Sequence, residues 1–230
     1  MSSPAVDPAR IRWSIPEGDR ARALAERPLL VLLHGYGSNA DDLFGLVPHL
    51  PNSFVVAAIE GLEPAGPGWA WFPLSVDPVT GELVRDLKQA DAASGSLVEW
   101  FDALAVESPD IPSIHLLGFS QGGAMSLELM RHRPHDVDSV VVLAGFALAA
   151  ESPEAQARDA VLAEVRPPVF WGRDPHDPVI APPMIEVTRR WLPEHADLTV
   201  RLYSGVGHGI NLEELEDVAE FLAERLLENG

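Results

Sequence analysis

The fold of this chain is indicated by the stretch Ile-His-Leu-Leu-Gly-Phe-Ser-Gln-Gly-Gly at residues 114–123. An apolar run, Ile114 to Leu117, leads into a Gly-x-Ser-x-Gly turn, and a helical stretch begins at Gln121. A serine on so sharp a strand-to-helix turn is held above the sheet, and the residues two before and two after it must be small. Gly118 and Gly122 meet that requirement, so the stretch predicts a reactive serine hydroxyl raised above the sheet.

Further apolar runs of similar length predict strands buried in the middle of a parallel sheet. They are Leu29 to Leu33, Phe54 to Ile59, Val140 to Leu143, Val169 to Trp171 and Leu198 to Tyr203, with Ile11 to Ile15 as an edge strand. Helices are predicted over Leu83 to Val106, Gln121 to Arg131, Met184 to Leu192 and Leu212 to Leu227, the last with a cap-like start at Asn211 and Glu214. This alternation predicts an α/β fold, with a mostly parallel central sheet and helices on both faces.

Length and composition limit the classes of protein that the chain can belong to. Its 230 residues fit one domain, 1–230, too short for a large lid domain, and we expect residues 1–10 to be flexible. The absence of cysteine excludes disulfides, thiolate metal sites and a cysteine nucleophile. A formal net charge of -19 disfavours nucleic acid and stable membrane association. Without a signal peptide or a long apolar span, a cytoplasmic location is expected.

Ser120 needs a base to take its proton before it can attack a substrate. Of the eight histidines, His208 is the strongest candidate, because it lies in a glycine-rich loop between the last predicted strand and the last predicted helix. His176 lies near the candidate acids and is the only rival. The remaining histidines are interpreted as structural.

An acid that orients the imidazole is expected after the strand Val169 to Trp171. The sequence there, at residues 172–180, is Gly-Arg-Asp-Pro-His-Asp-Pro-Val-Ile, so Asp174 and Asp177 compete. Asp177 is preferred, because the apolar pair after it can anchor the loop. Asp174 remains the alternative acid, and the carboxylate that is not used is expected to cap the following turn.

A second turn, His-Gly-Tyr-Gly at residues 34–37, follows the strand Leu29 to Leu33 and predicts a backbone N–H beside the serine. Acyl transfer develops a negative oxygen that such donors stabilise. We assign the N–H groups of Tyr36 and Gln121 to this oxyanion hole.

Aromatic residues are concentrated in a Gly- and Pro-rich loop. Trp69, Trp71 and Phe72, with Leu74, are candidates for a substrate-binding wall, because ligand sites are largely apolar. Packing beneath a long loop is an equally good interpretation.

These motifs together resemble the phospholipase/carboxylesterase family of the α/β-hydrolase superfamily, which includes carboxylesterases and acyl-protein thioesterases. The resemblance is carried by Leu-His-Gly-Tyr-Gly at 33–37, Gly-Phe-Ser-Gln-Gly-Gly-Ala-Met at 118–125, Asp-Pro-Val-Ile at 177–180 and Gly-His-Gly at 207–209. It implies the α/β-hydrolase fold, Ser120 as nucleophile, His208 as base, an aspartate within 172–180, and neither a metal nor an organic cofactor. The acid loop is longer than in the family pattern, and Pro73 stands where the family's Trp-Phe segment continues with aspartate.

The resulting expectation is a serine carboxylesterase that hydrolyses small to medium esters through an acyl-enzyme, as a monomer or homodimer. An acyl-protein thioesterase or a lysophospholipase would use the same residues. A non-catalytic ligand-binding protein on a hydrolase scaffold is the alternative from a different class, because fold does not fix function.

Overall fold

The computed structural model of the protein describes residues 5–76, 83–85 and 87–228. Its strands are β1 (Ile11–Trp13), β2 (Leu29–Leu33), β3 (Val55–Ile59), β4 (Glu63–Ala65), β5 (Gly68–Ala70), β6 (Leu74–Val76), β7 (Leu83–Arg85), β8 (Ile114–Phe119), β9 (Ser139–Leu143), β10 (Pro168–Arg173) and β11 (Asp197–Leu202). Seven of them form one sheet in the order β1-β3-β2-β8-β9-β10-β11, while β4 pairs with β5 and β6 with β7. The edge strand β1 is antiparallel to β3, and the other neighbours in the sheet are parallel.

The central strands are buried on both faces, which explains their continuous apolar sequences. In β2, Leu29, Val31 and Leu33 pack into the core on one side of the sheet, whereas Leu30 and Leu32 pack into the core on the other. Successive side chains of a strand point to opposite faces, so each apolar run supplies both cores.

Helices cover both faces of the sheet. They are α1 (Glu17–Glu26), α2 (Ala40–Phe44), α3 (Leu87–Glu107), α4 (Gln121–His132), α5 (Pro153–Val165), α6 (Pro182–His195) and α7 (Leu212–Glu228), with short 3-10 helices at Pro8–Arg10 and Val47–His49. Buried residues of α1, α3, α4, α5 and α6 join the first core, and those of α2 and α7 join the second. The α/β-hydrolase architecture predicted from the sequence is therefore confirmed, and the described residues contain no large lid domain.

Local sequence signals set several helix ends. The Asn211 side chain accepts a hydrogen bond of 2.8 Å from the Glu214 amide at the start of α7, as predicted. Ser152 caps α5 in the same way, accepting from the Ala155 amide, and Pro153 occupies the first helical position.

Three features of the fold differ from the prediction. The helix expected from Leu83 begins at Leu87, because residues 83–85 pair with β6 as a strand. The run Leu198 to Tyr203 does form a strand, but β11 lies at the sheet edge and is largely exposed rather than central. Helices α1, α2 and α5 and the short strands β4, β5 and β6 were not predicted. The expected flexibility of residues 1–10 remains a prediction.

The parallel arrangement of the strands brings the loops that carry the candidate site residues to one edge of the sheet. The carboxyl ends of neighbouring parallel strands are in register there, with Leu33 beside Gly118 and Leu143 beside Gly172. The loops that follow β2, β8, β10 and β11 therefore leave from the same edge, where ligand sites of open α/β sheets lie. Among the helices in the described ranges, none is both long and apolar enough to cross a bilayer.

Candidate active site

Ser120 occupies a strained turn between β8 and α4. Its φ of 53° and ψ of -116° lie outside the regions that non-glycine residues favour. The turn is held by the Ser120 amide, which donates to the Leu143 carbonyl of β9 at 2.9 Å. Strain of this kind persists only where the surrounding structure imposes it, and it concentrates at functional sites.

Close backbone packing explains the two glycines that flank the serine. A Cβ on Gly118 would overlap the backbone of Gly122, and a Cβ on Gly122 would overlap the carbonyl of Leu33 in β2. The first turn of α4 therefore lies directly against β2 and β8. This contact is the physical reason for the Gly-x-Ser-x-Gly spacing.

The structure brings Ser120, His208 and Asp177 together. The imidazole Nε2 of His208 lies 2.9 Å from the Ser120 Oγ, and its Nδ1 lies 2.8 Å from Asp177 Oδ2. Because a carboxylate only accepts, Nδ1–H donates to Asp177, which leaves Nε2 to accept from the serine hydroxyl. The Asp177 side chain is 1% exposed and that of His208 is 16% exposed, so the aspartate is shielded from solvent more completely than the imidazole.

Asp177 is held by its own loop as well as by the histidine. Its Oδ1 accepts from the amides of Val179 at 2.7 Å and Ile180 at 3.1 Å. These bonds leave Oδ2 for His208 and fix the direction of that oxygen. The residues that the sequence suggested as an anchor thus act through their backbone amides.

Asp174, the alternative acid, forms no hydrogen bond with the His208 imidazole among the described residues and instead joins two loops. Its Oδ1 accepts from the His176 amide and its Oδ2 from the Gly207 amide, each at 2.7 Å. These two hydrogen bonds, of which the one from Gly207 has the larger effect, hold the pKa of the Asp174 carboxyl below its ordinary value. The side chain caps its own turn and ties the acid loop to the residue next to His208.

The loop that carries His208 depends on glycine at two positions. Gly205 and Gly207 have φ values of 86° and 69°, a region that favours glycine. The ring of Phe119, next to the serine, packs against the imidazole with a centroid distance of 5.0 Å. His208 is thereby held over the carboxyl end of β8.

Among the described residues, no histidine other than His208 forms a hydrogen bond with the Ser120 side chain. The side chain of His176, the rival base, is 89% exposed and is 3.9 Å from Asp174. His115 is buried in β8 between the hydroxyls of Ser113 and Ser139, and burial lowers its pKa to about 4. These environments fit structural roles.

The amides proposed for the oxyanion hole border the same space as the serine. Tyr36 and Gln121 both line the cavity that contains Ser120. Within residues 5–76, 83–85 and 87–228, neither amide donates a hydrogen bond to another protein group. The loop approaches the serine closely, because a Cβ placed on Gly35 would lie 3.4 Å from the Ser120 Cβ.

A cavity of about 460 Å³ opens beside the serine. Its apolar wall comprises Leu74, Phe119, Phe146, Val179 and Ile180, and its polar wall includes Ser38 and Asp42 besides the residues already described. The Ser38 hydroxyl donates to Asp42 at 2.5 Å. No Arg or Lys contributes to this lining among the described residues. The cavity is therefore suited to a neutral, largely apolar group.

The predicted aromatic wall lies elsewhere. Trp71 and Phe72 are completely buried in the first core, and half-buried Trp69 packs under the guanidinium of Arg10. Of the loop residues suggested by sequence, only Leu74 reaches the cavity. Phe146, which follows β9, was not predicted, and its position after a central strand was the one available signal.

The described residues contain no group of three His, Asp or Glu side chains placed to hold a metal ion.

A sequence model of the phospholipase/carboxylesterase family matches residues 20–226. The chain belongs to this family of hydrolases. An acyl-protein thioesterase 1 of Debaryomyces hansenii is 25% identical over 215 residues, which cover 75% of this chain and 91% of that protein. A pimeloyl-[acyl-carrier protein] methyl ester esterase of Aromatoleum aromaticum is 33% identical over 117 residues, 51% of this chain but only 37% of that protein. The crystal structure of esterase PE8 superposes with a TM-score of 0.72 at 27% identity, covering 86% of this chain and 92% of that one.

Proposed function

We propose that this chain is a serine carboxylesterase that hydrolyses small to medium carboxylic esters through an acyl-enzyme. The observation that carries the proposal is the His208 imidazole, which bridges Ser120 Oγ at 2.9 Å and Asp177 Oδ2 at 2.8 Å. A nucleophile within reach of a base that a buried acid orients is the arrangement of serine hydrolases.

In the proposed first step, Nε2 of His208 takes the hydroxyl proton while the Ser120 oxygen bonds to the ester carbonyl carbon. The carbonyl electron pair moves to its oxygen, and Asp177 stabilises the imidazolium. Collapse of this intermediate breaks the bond to the alcohol oxygen, which receives the proton from His208. Water, deprotonated by the same imidazole, then releases the acid and restores the serine.

The Tyr36 and Gln121 amides are proposed to bind the oxygen that becomes negative in both steps. Their support is their position on the cavity that contains Ser120 and their lack of partners among the described residues. Gln121 also begins α4, whose positive dipole end adds to the stabilisation of an anion. Loss of one such donor costs ~3 kcal/mol in comparable enzymes.

The substrate class is inferred from the cavity. Its volume of about 460 Å³ and apolar wall suit an uncharged acyl group of modest length. The acidic surface, with a formal net charge of -19, favours dissolved neutral esters over anionic lipid surfaces.

The test is hydrolysis of p-nitrophenyl acetate by the wild type and two serine variants. Ser120→Ala should reduce turnover to the uncatalysed rate. Ser126→Ala is the matched control, because that serine is buried in the same helix and its hydroxyl donates to the Gly122 carbonyl. Turnover that survives in Ser120→Ala would remove the proposal.

An acyl-protein thioesterase is the second candidate, favoured by the similarity to the Debaryomyces hansenii protein of that name, which covers 75% of this chain and 91% of that protein. The same groups would attack a thioester, with a thiol as the leaving group. Rates on p-nitrophenyl esters of graded length, a long-chain acyl-peptide thioester and a lysophospholipid separate an esterase, a thioesterase and a lysophospholipase. A non-catalytic binding protein would bind esters without turning any of them over.

A further inference from the structure

We propose that Trp71 is a positioning residue that fixes the positions of both amides of the oxyanion hole, the Tyr36 and Gln121 N–H groups. This inference rests on the proposed function. Sequence suggested Trp71 as a pocket wall, but its side chain is 1% exposed and lies outside the cavity lining. Its polar atoms instead bond to the two segments that carry the Tyr36 and Gln121 amides.

The first link runs from Trp71 to the turn after β2. The indole Nε1–H donates to the His34 carbonyl at 2.8 Å, and the indole also packs against the His34 imidazole with ring centroids 5.5 Å apart. A fully buried donor and acceptor pair of this kind is costly to break, since neither group reaches water afterwards.

The His34 side chain in turn fixes the peptide bond between Gly35 and Tyr36. The Gly61 amide donates to its Nε2 at 2.8 Å, so Nε2 must accept and the proton of the neutral ring lies on Nδ1. Burial keeps the ring neutral by lowering the pKa of His34. Nδ1–H then donates to the Gly35 carbonyl at 2.8 Å. In a trans peptide the C=O and N–H point in opposite directions, so the Tyr36 N–H points away from the imidazole.

The second link runs from the Trp71 segment to α4. The Trp71 amide donates to Gln121 Oε1 at 3.0 Å, and Gln121 Nε2 donates to the Phe72 carbonyl at 2.7 Å. The Gln121 side chain is thereby bound at both of its polar atoms. The Gln121 backbone amide is the second proposed oxyanion donor. The buried dipeptide Trp71-Phe72 is therefore hydrogen-bonded to both segments that carry the donors.

Trp71→Phe removes the indole N–H and keeps most of the buried volume. We expect kcat to fall roughly 10- to 100-fold, because small displacements of preorganised donors are costly. KM should stay near the wild-type value, since Trp71 does not line the cavity. Trp69→Phe is the matched control, because that indole stacks on Arg10 and lies outside the cavity.

The decisive readout is an aliphatic trifluoromethyl ketone. Ser120 Oγ adds to its carbonyl carbon, the serine proton moves to His208, and the carbonyl electron pair becomes an oxyanion. In Trp71→Phe the inhibition constant should rise by the same factor by which kcat/KM falls, while the dissociation constant of the matching unreactive alcohol stays constant. A merely structural role would weaken both compounds together, or neither.

Gln121→Met cuts the second link with little change of volume and carries the same expectation. Wild-type kinetics in Trp71→Phe, or equal weakening of the ketone and the alcohol, would overturn the inference while leaving the esterase proposal intact. Loss of folding in both variants would also overturn it, because the role would then be structural. Wild-type enzyme that hydrolyses no ester would instead contradict the proposed function.

Discussion

At the scale of single residues, two aspartates that are three positions apart in the sequence have different hydrogen-bond partners in the site. Asp177 accepts from His208, whereas Asp174 accepts from the backbone of its own loop and from Gly207. Sequence could place both in the acid loop but could not decide between them with certainty. The direction of each carboxylate depends on the amides from which it accepts, and one of these, the Gly207 amide that donates to Asp174, belongs to a different loop.

Exchanging each aspartate for asparagine tests this division. Asp177→Asn should lower kcat by roughly 10⁴-fold, because the amide no longer holds the imidazole in the tautomer that accepts the serine proton. Asp174→Asn should lower kcat far less and reduce the free energy of unfolding by about 1–3 kcal/mol, since it leaves one amide donor unpaired. Ester kinetics and urea unfolding of both variants give the comparison, and a larger kinetic loss for Asp174→Asn would reverse the assignment.

At the scale of elements, the serine turn depends on the contact between α4 and the strands beneath it. Gly122→Ala should lower the free energy of unfolding by about 3 kcal/mol or more, because its Cβ would overlap the Leu33 carbonyl. Gly95→Ala is the matched control in α3, because the added Cβ would have no atom within 4 Å apart from its chain neighbours and the nearby backbone of its own helix. That variant should gain about 0.5–1 kcal/mol. Urea unfolding measures both, and equal effects would contradict the packing explanation.

The first turn of α7 contains a buried carboxyl group. Glu214 is 1% exposed, and burial raises its pKa from 4.5 to about 7. A hydrogen bond with the Asn211 backbone opposes this rise, and the charge of Asp217 adds a smaller increase. The folded state therefore binds the proton more tightly than the unfolded chain. The contribution of this group to stability is full below about pH 4.5 and is lost as the pH rises through 7.

Glu214→Gln removes this titration. Its Tm should exceed that of the wild type at pH 8, and the difference should shrink towards pH 5, where the wild-type carboxyl is neutral. Glu213→Gln, at the exposed neighbouring position, is the control and should leave the pH dependence of Tm unchanged. Parallel Tm curves for Glu214→Gln and the wild type across this pH range would contradict the assignment.

The elements that sequence reasoning missed share a weak apolar signal. Helix α5 buries only Leu162 and α1 only Ala23 and Leu24, so neither shows the repeating apolar face that periodicity detects. The strand β11 was recognised from its apolar residues, but its place at the edge depends on pairing between distant segments. Helices and strands could thus be predicted from sequence where several buried apolar residues recur at the spacing of a helix or a strand.

At the scale of the whole molecule, charge should influence which esters react. The formal net charge is -19, and the described cavity lining includes Asp42 but no Arg or Lys. At 0.01 M salt, where the Debye length is ~30 Å, this field acts at long range on a charged substrate.

A pair of similar esters tests the field. The ratio of kcat/KM for p-nitrophenyl butyrate to that for the anionic mono-p-nitrophenyl succinate should fall roughly 10-fold between 0.01 M and 1 M salt, because screening relieves repulsion of the anion. The value for the neutral ester serves as the control and should change little. A ratio independent of salt would show that the surface charge does not act on the substrate.

Peptide mapping after reaction with a fluorophosphonate tests the central claim most directly. We predict a phosphonyl adduct on Ser120 alone in the wild type, with adduct formation slowed by orders of magnitude in His208→Ala and unchanged in His176→Ala. Adduct on a different residue, or none while ester turnover continues, would contradict the account.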